Sequence, residues 1–176
     1  IQSGADEILQ SMRRRYTKDE YISLIERLTG RIQGLTVSTD LIVGFPGETD
    51  MLFAETMDTL NRLRFSHIHA FPYSPRQGTP AAAMAGQVPN NVKKRRVDTV
   101  NALSERQKKA LLDSLIGAEV QVLLEEIKDN VGEGFSEQYE RVRVAVPAGC
   151  ERGRIIDVLL TGRDGTVLTG RVKEAF

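Results

Sequence analysis

The stretch Ser38–Thr49, STDLIVGFPGET, limits the possible folds of this chain more than any other segment. It passes through an apolar run into the break Gly44-Phe45-Pro46-Gly47. It then restarts as an amphipathic segment with Phe53, Met57, Leu60 and Leu63 at helical spacing. A short apolar run bounded by turn residues reads as a buried strand. Strand, turn and helix in that order form the repeating unit of a parallel α/β sheet. Alternation puts Ser38, Asp40, Ile42 and Gly44 on one face and Leu41, Val43 and Phe45 on the other. The first set is expected to face a lumen and the second to pack against helices. Ligands of parallel sheets bind at the carboxyl ends of the strands. Gly44 and Gly47 remove side chains there, which leaves room for a flat ring or a backbone. Pro46 stiffens the turn, and Thr49 stands where a helix N-cap belongs. The same spacing also fits an ordinary strand-to-helix turn with no ligand.

Two further segments repeat the arrangement. Gln2-Ser3-Gly4 places polar groups and a glycine at another strand end, and HIHAFPYSPRQGTPA is a third such end. His67, His69, Phe71 and Tyr73 are expected to share one face. Two alternating histidines suggest a metal, but no third ligand lies at a suitable spacing, so lumen packing or substrate contact is the expectation. Between these ends, Thr17 and Glu20 have the spacing of a capping box ahead of Tyr21, Leu24, Ile25 and Leu28. A long amphipathic helix is predicted from about Asn90 to Leu115, with Val97, Val100, Leu103 and Leu111 on its apolar side. No phosphate-binding loop, nucleophile elbow or dinucleotide fingerprint occurs.

After Gly117 the texture changes. AEVQVLLEEI, ERVRVAVP, RIIDVLLTG and TVLTGRVKEAF read as short strands, and Arg141-Val142-Arg143-Val144 alternates as a half-buried strand does. Four or five such strands in about sixty residues predict a small closed, antiparallel, five-stranded β-barrel. The expected fold class is therefore α/β, with a parallel βα unit over residues 1–116 and a β-barrel over 117–176.

Charge and cysteine usage narrow the class of function. Twenty-four basic and twenty-four acidic side chains balance, which argues against a wholly basic nucleic-acid binder. Arg13-Arg14-Arg15 and Lys93-Lys94-Arg95-Arg96 are local basic runs, read first as solvated helix faces and second as nucleic-acid patches. A single cysteine, Cys150, excludes an internal disulfide framework and suits a reducing, cytoplasmic setting. No apolar run is long enough to span a membrane, and no signal peptide is expected. The abrupt start at Ile1 reads as a cut within a longer protein.

IQSGADEILQSMRRRYTKDEY, STDLIVGFPGET, FPYSPRQGTPAAAM and GFSEQYERVRVAVP occur in an order that resembles the methylthiotransferases, a radical S-adenosylmethionine family. The family adds a methylthio group to an adenosine beside the tRNA anticodon, or to a small-subunit ribosomal protein. The resemblance implies that residues 1–116 are the C-terminal half of a radical-SAM partial (β/α) barrel. It implies that residues 117–176 are an RNA-binding TRAM domain. HAFPYSPRQGTPAAAMAGQVP is most similar to the branch acting on threonylcarbamoyl-adenosine. By the same resemblance Gln2 and Ser3 reach polar groups of S-adenosylmethionine. Asp40, Ile42, Val43 and Gly44 lie along the adenine-contacting strand, with Glu48 one place later than the family's acid. Phe71, Pro72 and Tyr73 close the adenine side.

Two departures stand beside it. The family needs two four-iron clusters in the intact protein, one of them held by C-x-x-x-C-x-x-C. Such clusters take thiolate ligands, so a chain with Cys150 alone is expected to hold neither and to be inactive by itself. From residue 117 onward there are eight basic and eleven acidic side chains, a poor balance for phosphate. A local stripe of Arg141, Arg143, Arg152, Arg154, Arg163 and Arg171, with Phe135, Tyr139 and Phe176 for stacking, remains an alternative. Arg76, Arg141, Arg143 and Arg154 are the residues assigned to tRNA. The alternatives are a ribosomal-protein-modifying enzyme or an RNA-binding module without catalysis.

Overall fold

The fold is described from a computed structural model, which covers residues 1–173; Phe176 lies outside the described residues. The chain divides into two compact units, residues 1–107 and the chain from residue 108 onward. This division lies upstream of Gly117, inside a helix.

In the first unit the elements follow the local signals. After α1 (Asp6–Ser11), the Thr17 hydroxyl accepts the Glu20 amide at 3.2 Å and the Glu20 carboxylate accepts the Thr17 amide at 2.8 Å. This capping box satisfies donors that the first turn leaves unpaired and starts α2 (Lys18–Arg31). Strand β1 (Ser38–Val43) leads into α3 (Asp50–Arg62), whose Thr49 N-cap accepts the Leu52 amide at 3.2 Å. Strand β2 (His67–Pro72), a 3₁₀ turn at Pro80–Ala83 and α4 (Asn90–Leu115) follow. β1 and β2 pair in parallel from Ser38 opposite His67 to Val43 opposite Pro72, and Gln2 adds an isolated parallel bridge to Leu41. The expected alternation of β1 holds: Leu41 and Val43 are fully buried, whereas Ser38 and Asp40 are exposed. Leu60, Phe65, Ile68, Val100 and Leu103 complete that core. Burying each large apolar side chain contributes about 1.5–3 kcal/mol.

In the second unit β3 (Glu119–Lys128), β4 (Val131–Ser136), β5 (Arg141–Ala145), β6 (Ile155–Asp164) and β7 (Val167–Val172) close into a barrel in the order β3-β4-β5-β7-β6. The barrel is not purely antiparallel, because β5 and β7 run parallel. A closed ring with an odd number of strands cannot alternate direction throughout, so at least one neighbouring pair must be parallel. Val142 and Val144 point inward and Arg141 and Arg143 outward, as their alternation predicts. β4 escaped the sequence reading because its inward positions are glycines. A Cβ on Gly134 would overlap the Leu123 carbonyl of the neighbouring β3, so the close approach of that backbone requires the missing side chain. Val120, Val122, Leu124, Val158, Leu160 and Leu168 fill the rest of the interior. Among the described residues no helix is long and apolar enough to cross a membrane.

Candidate functional site

Three chain segments meet side by side at the carboxyl end of the parallel sheet. The Gln2 amide donates to the Asp40 carbonyl and the Ile42 amide donates to the Gln2 carbonyl, both at 3.0 Å. On the other side the Tyr73 amide donates to the Val43 carbonyl at 2.8 Å. Gln2, the end of β1 and the end of β2 are thus bonded neighbours. A hollow of about 290 Å³ opens beside them, lined by Gln2, Met12, Arg13, Arg14, Ile42, Phe45, Pro80, Ala81 and Met84. Its size lies at the lower end of small-molecule sites, roughly 300–1,000 Å³.

The expected site residues divide according to where their side chains go. Gln2 takes a left-handed φ of 67° and lines the hollow, as does Ile42. Ile42 stands opposite Phe71, which is 52% exposed, and Asp40 stands opposite His69 on the same open face. Pro72 is exposed at the end of β2. Ser3 does not face the hollow group: it is fully buried, accepts the Ala5 amide at 3.2 Å and lies 3.4 Å from the Thr56 hydroxyl. Val43 is fully buried in the core and reaches the site only through its carbonyl. Tyr73 leaves the Phe71 face, because its ring packs edge-on against Phe45 at 5.1 Å. Phe45 in turn lines the hollow, although alternation assigns it to the helix side. The left-handed φ of 72° at Gly44 breaks the alternation between them. His67 and His69 lie with ring centroids 4.2 Å apart, exposed on the open face.

Gly44 itself has a different role from the one its position suggests. The space its side chain would fill is taken by the alkyl stem of Lys93, whose Cγ a Cβ there would overlap. Lys93 is 5% exposed, donates to the Tyr73 carbonyl at 2.9 Å and holds its ammonium 5.3 Å from the Tyr73 ring. Below the same turn, the Gly44 amide donates to Glu48 Oε2 at 2.6 Å. Arg96 donates to that oxygen at 2.6 Å, to the Glu48 carbonyl at 3.0 Å and to Asp50 at 2.7 Å. Glu48 and Arg96 are each 4% exposed. Burial raises the Glu48 carboxyl above its usual value of 4.5, against the opposing pull of the Gly44 amide and Arg96. Arg96 holds the exposed Asp50 carboxyl below its usual range. Half of the basic run at 93–96 is therefore an internal brace for the turn, with Lys94 and Arg95 exposed. The helical phase shared by Lys93, Arg96, Val100 and Leu103 carried that signal.

On the barrel, Phe135 and Tyr139 stack with centroids 4.9 Å apart and planes at 19°. Tyr139 is 80% exposed, with a φ of 63°. The Arg141 guanidinium lies 5.9 Å from the Phe135 ring and 3.4 Å from Glu133. Arg143 donates to Glu133 at 2.6 Å and approaches Asp164 at 3.7 Å. Its hydrogen bond holds the Glu133 carboxyl below the usual range. Arg163 pairs with Asp113 at 2.6 Å, so three arginines of the expected stripe, Arg141, Arg143 and Arg163, are matched by acids. Arg154 is exposed just ahead of β6, and Arg76 is exposed in the loop after β2.

An iron–sulfur cluster does not fit this donor set. Cys150 is a single half-buried thiol, and among the described residues no three His, Cys, Asp or Glu side chains group to hold a metal ion.

Residues 1–60 match the family model of the Radical SAM superfamily. Those residues carry two of the three strand ends. The chain is also similar to curated relatives named tRNA-2-methylthio-N(6)-dimethylallyladenosine synthase. One from Moorella thermoacetica is 36% identical over 174 residues, covering 98% of this chain and 39% of the relative. One from Leifsonia xyli subsp. xyli is 40% identical over 171 residues, covering 91% and 31%. One from Oceanobacillus iheyensis is 38% identical over 177 residues, covering 99% and 34%. The chain spans about a third of the length of the relatives it matches.

Proposed function

We propose that this chain is the S-adenosylmethionine-binding and RNA-contacting part of a radical-SAM tRNA methylthiotransferase. The observation that carries the reading is the similarity over 98% of the chain to a relative named for that activity. The strand-end hollow supplies a compatible site. In this reading the intact enzyme also holds two four-iron clusters through ligands outside residues 1–173. S-adenosylmethionine supplies the methyl group and the radical that activates the target carbon.

The residues of this chain bind and orient. Ile42 and Phe45 offer an apolar surface for an adenine ring, Gln2 offers polar groups at its edge, and Phe71 and Pro72 border the open side. Gly44, Lys93, Glu48 and Arg96 fix the turn that sets Ile42 against Phe45. Ser3 and Val43 contribute through the backbone scaffold. We further read residues 1–116 as half of a partial (β/α) barrel and 117–176 as a TRAM-type barrel acting in the cytoplasm on tRNA. In the barrel, Tyr139, Phe135 and Arg141 form a platform on which an unpaired base can stack, a contact worth about 1–3 kcal/mol per base. The substrate class is an N6-substituted adenosine. The relatives' names favour the dimethylallyl substituent over threonylcarbamoyl, and tRNA over a ribosomal protein.

The test is to reconstitute the full-length protein with iron and sulfide under reducing conditions and digest the tRNA after reaction. The expected product, by mass spectrometry, is a 2-methylthio derivative of N6-substituted adenosine. Absence of that nucleoside with every tRNA tried, from a protein carrying both clusters, would refute the reading.

A further inference from the structure

The turn between β4 and β5 presents Tyr139 to solvent on a backbone that its residue type does not favour. Its φ of 63° is left-handed, which is uncommon for any side chain and rarer for a bulky one. Such a conformation persists only where the surroundings impose it. The ties that impose it here are short and mostly buried. The Tyr139 amide donates to the Ser136 carbonyl and the Ser136 amide to the Glu140 carbonyl, both at 2.9 Å. The buried Ser136 hydroxyl accepts the Gln138 and Glu140 amides at 3.3 Å each. Glu137, in the same turn, accepts the Gln121 amide of β3 at 2.6 Å.

One further tie comes from outside the sheet. Glu140 is 2% exposed, and its carboxylate accepts a hydrogen bond from the ammonium of Lys108 on α4. The Lys108 side chain is itself mostly covered. A buried ion pair gives up its hydration and returns little net stability, yet a buried carboxylate without its partner is strongly unfavourable. The pair therefore fixes geometry: it pins the residue between Tyr139 and Arg141 to the helix. Above that anchor the Tyr139 ring stacks on Phe135 at 4.9 Å and 19°, and the Arg141 guanidinium lies 5.9 Å from Phe135. An exposed ring already held in place loses little freedom when a second ring lies on it.

We propose that the Lys108–Glu140 pair is a positioning device that presets Tyr139 for stacking against an unpaired base of RNA. The inference rests on the functional reading above, in which Tyr139, Phe135 and Arg141 form the platform, and adds the residues that hold the platform ready.

The experiment uses the full-length protein and an anticodon stem-loop RNA, with binding followed by fluorescence anisotropy at one fixed salt concentration. Glu140→Gln, Tyr139→Ala and their combination form a double-mutant cycle. Tyr139→Ala is expected to weaken binding by on the order of 10- to 100-fold, the range for one stacked base. Glu140→Gln keeps the size of the side chain and removes the charge that Lys108 holds. It should weaken binding by about 2- to 10-fold, the cost of ordering one side chain. In the Tyr139→Ala background the same change should have no further effect, a coupling that a general loosening of the barrel would not produce. Lys108→Arg, which keeps the charge, should bind RNA more tightly than Lys108→Met. Wild-type affinity in Glu140→Gln, or an equal loss in both backgrounds, overturns the positioning role and leaves the platform standing. Wild-type affinity in Tyr139→Ala overturns the platform itself, and the positioning role with it. Should Glu140→Gln fail to fold, Lys108→Met/Glu140→Gln takes its place in the cycle, because it leaves no lone buried charge.

Discussion

In residues 1–107, Arg96 is 4% exposed and braces a turn through Glu48 and Asp50; in the barrel, Arg143 is a surface side chain on Glu133 and Asp164. The chemistry of the pairs is the same, but the surroundings differ. A buried ion pair loses its hydration, and removing one partner leaves a charge or a donor set with nothing to meet it. An exposed pair exchanges its partner for water at little cost. The same residue type is thus a positioning device under the strand end and a surface charge on the barrel.

The largest effect expected from this contrast is at Arg96. Arg96→Ala should destabilise the protein by about 3–5 kcal/mol, measured as a shift of the urea midpoint. Arg143→Ala should leave the midpoint essentially unchanged. If the two variants behave alike, the contrast between brace and surface fails.

Gly44→Ala comes next. It places a side chain on a left-handed backbone and against Lys93, at a cost of about 1–3 kcal/mol. Lys93→Ala in the same background should relieve part of it, which a double-mutant cycle would detect.

On the barrel the expected loss is in binding and not in folding. Tyr139→Ala should weaken RNA binding by about 1–3 kcal/mol with an unchanged melting curve, since Tyr139 is 80% exposed.

The smallest effect is in the pH dependence, and its sign differs between the units. Glu133 titrates lower in the folded state because of its hydrogen bond to Arg143. Its contribution is present above the usual value of 4.5 and is lost as pH falls through the lowered one. Glu48 titrates higher when folded because burial disfavours its charge. Its contribution is fullest below 4.5 and is lost as pH rises through the raised value. Denaturation at several pH values should show wild type losing its advantage over Glu133→Gln on acidification. Against Glu48→Gln, wild type should lose ground as pH rises.

The sequence made some of this architecture legible and hid the rest, for physical reasons. Capping by Thr17 and Thr49, the alternation of β1 and the extent of α4 follow from local rules, and the local rules held. β4 was missed because glycines at its inward positions give no hydrophobic alternation. The parallel β5–β7 pair is a property of ring closure, which no single strand records. At the site, Gln2 and Ile42 were legible as strand-end residues. Ser3 lies buried beside Thr56 and the Tyr73 ring packs against Phe45, contacts that a strand-end position does not specify. Lys93 and Arg96 looked like surface charge until burial revealed their partners.

The most direct test of the account is a structure of the full-length protein bound to S-adenosylmethionine. The account predicts the adenine ring in van der Waals contact with Ile42, between Gln2 and the end of β2 at Phe71 and Pro72. An adenine bound elsewhere, with this face of the sheet left in contact with solvent, would contradict it.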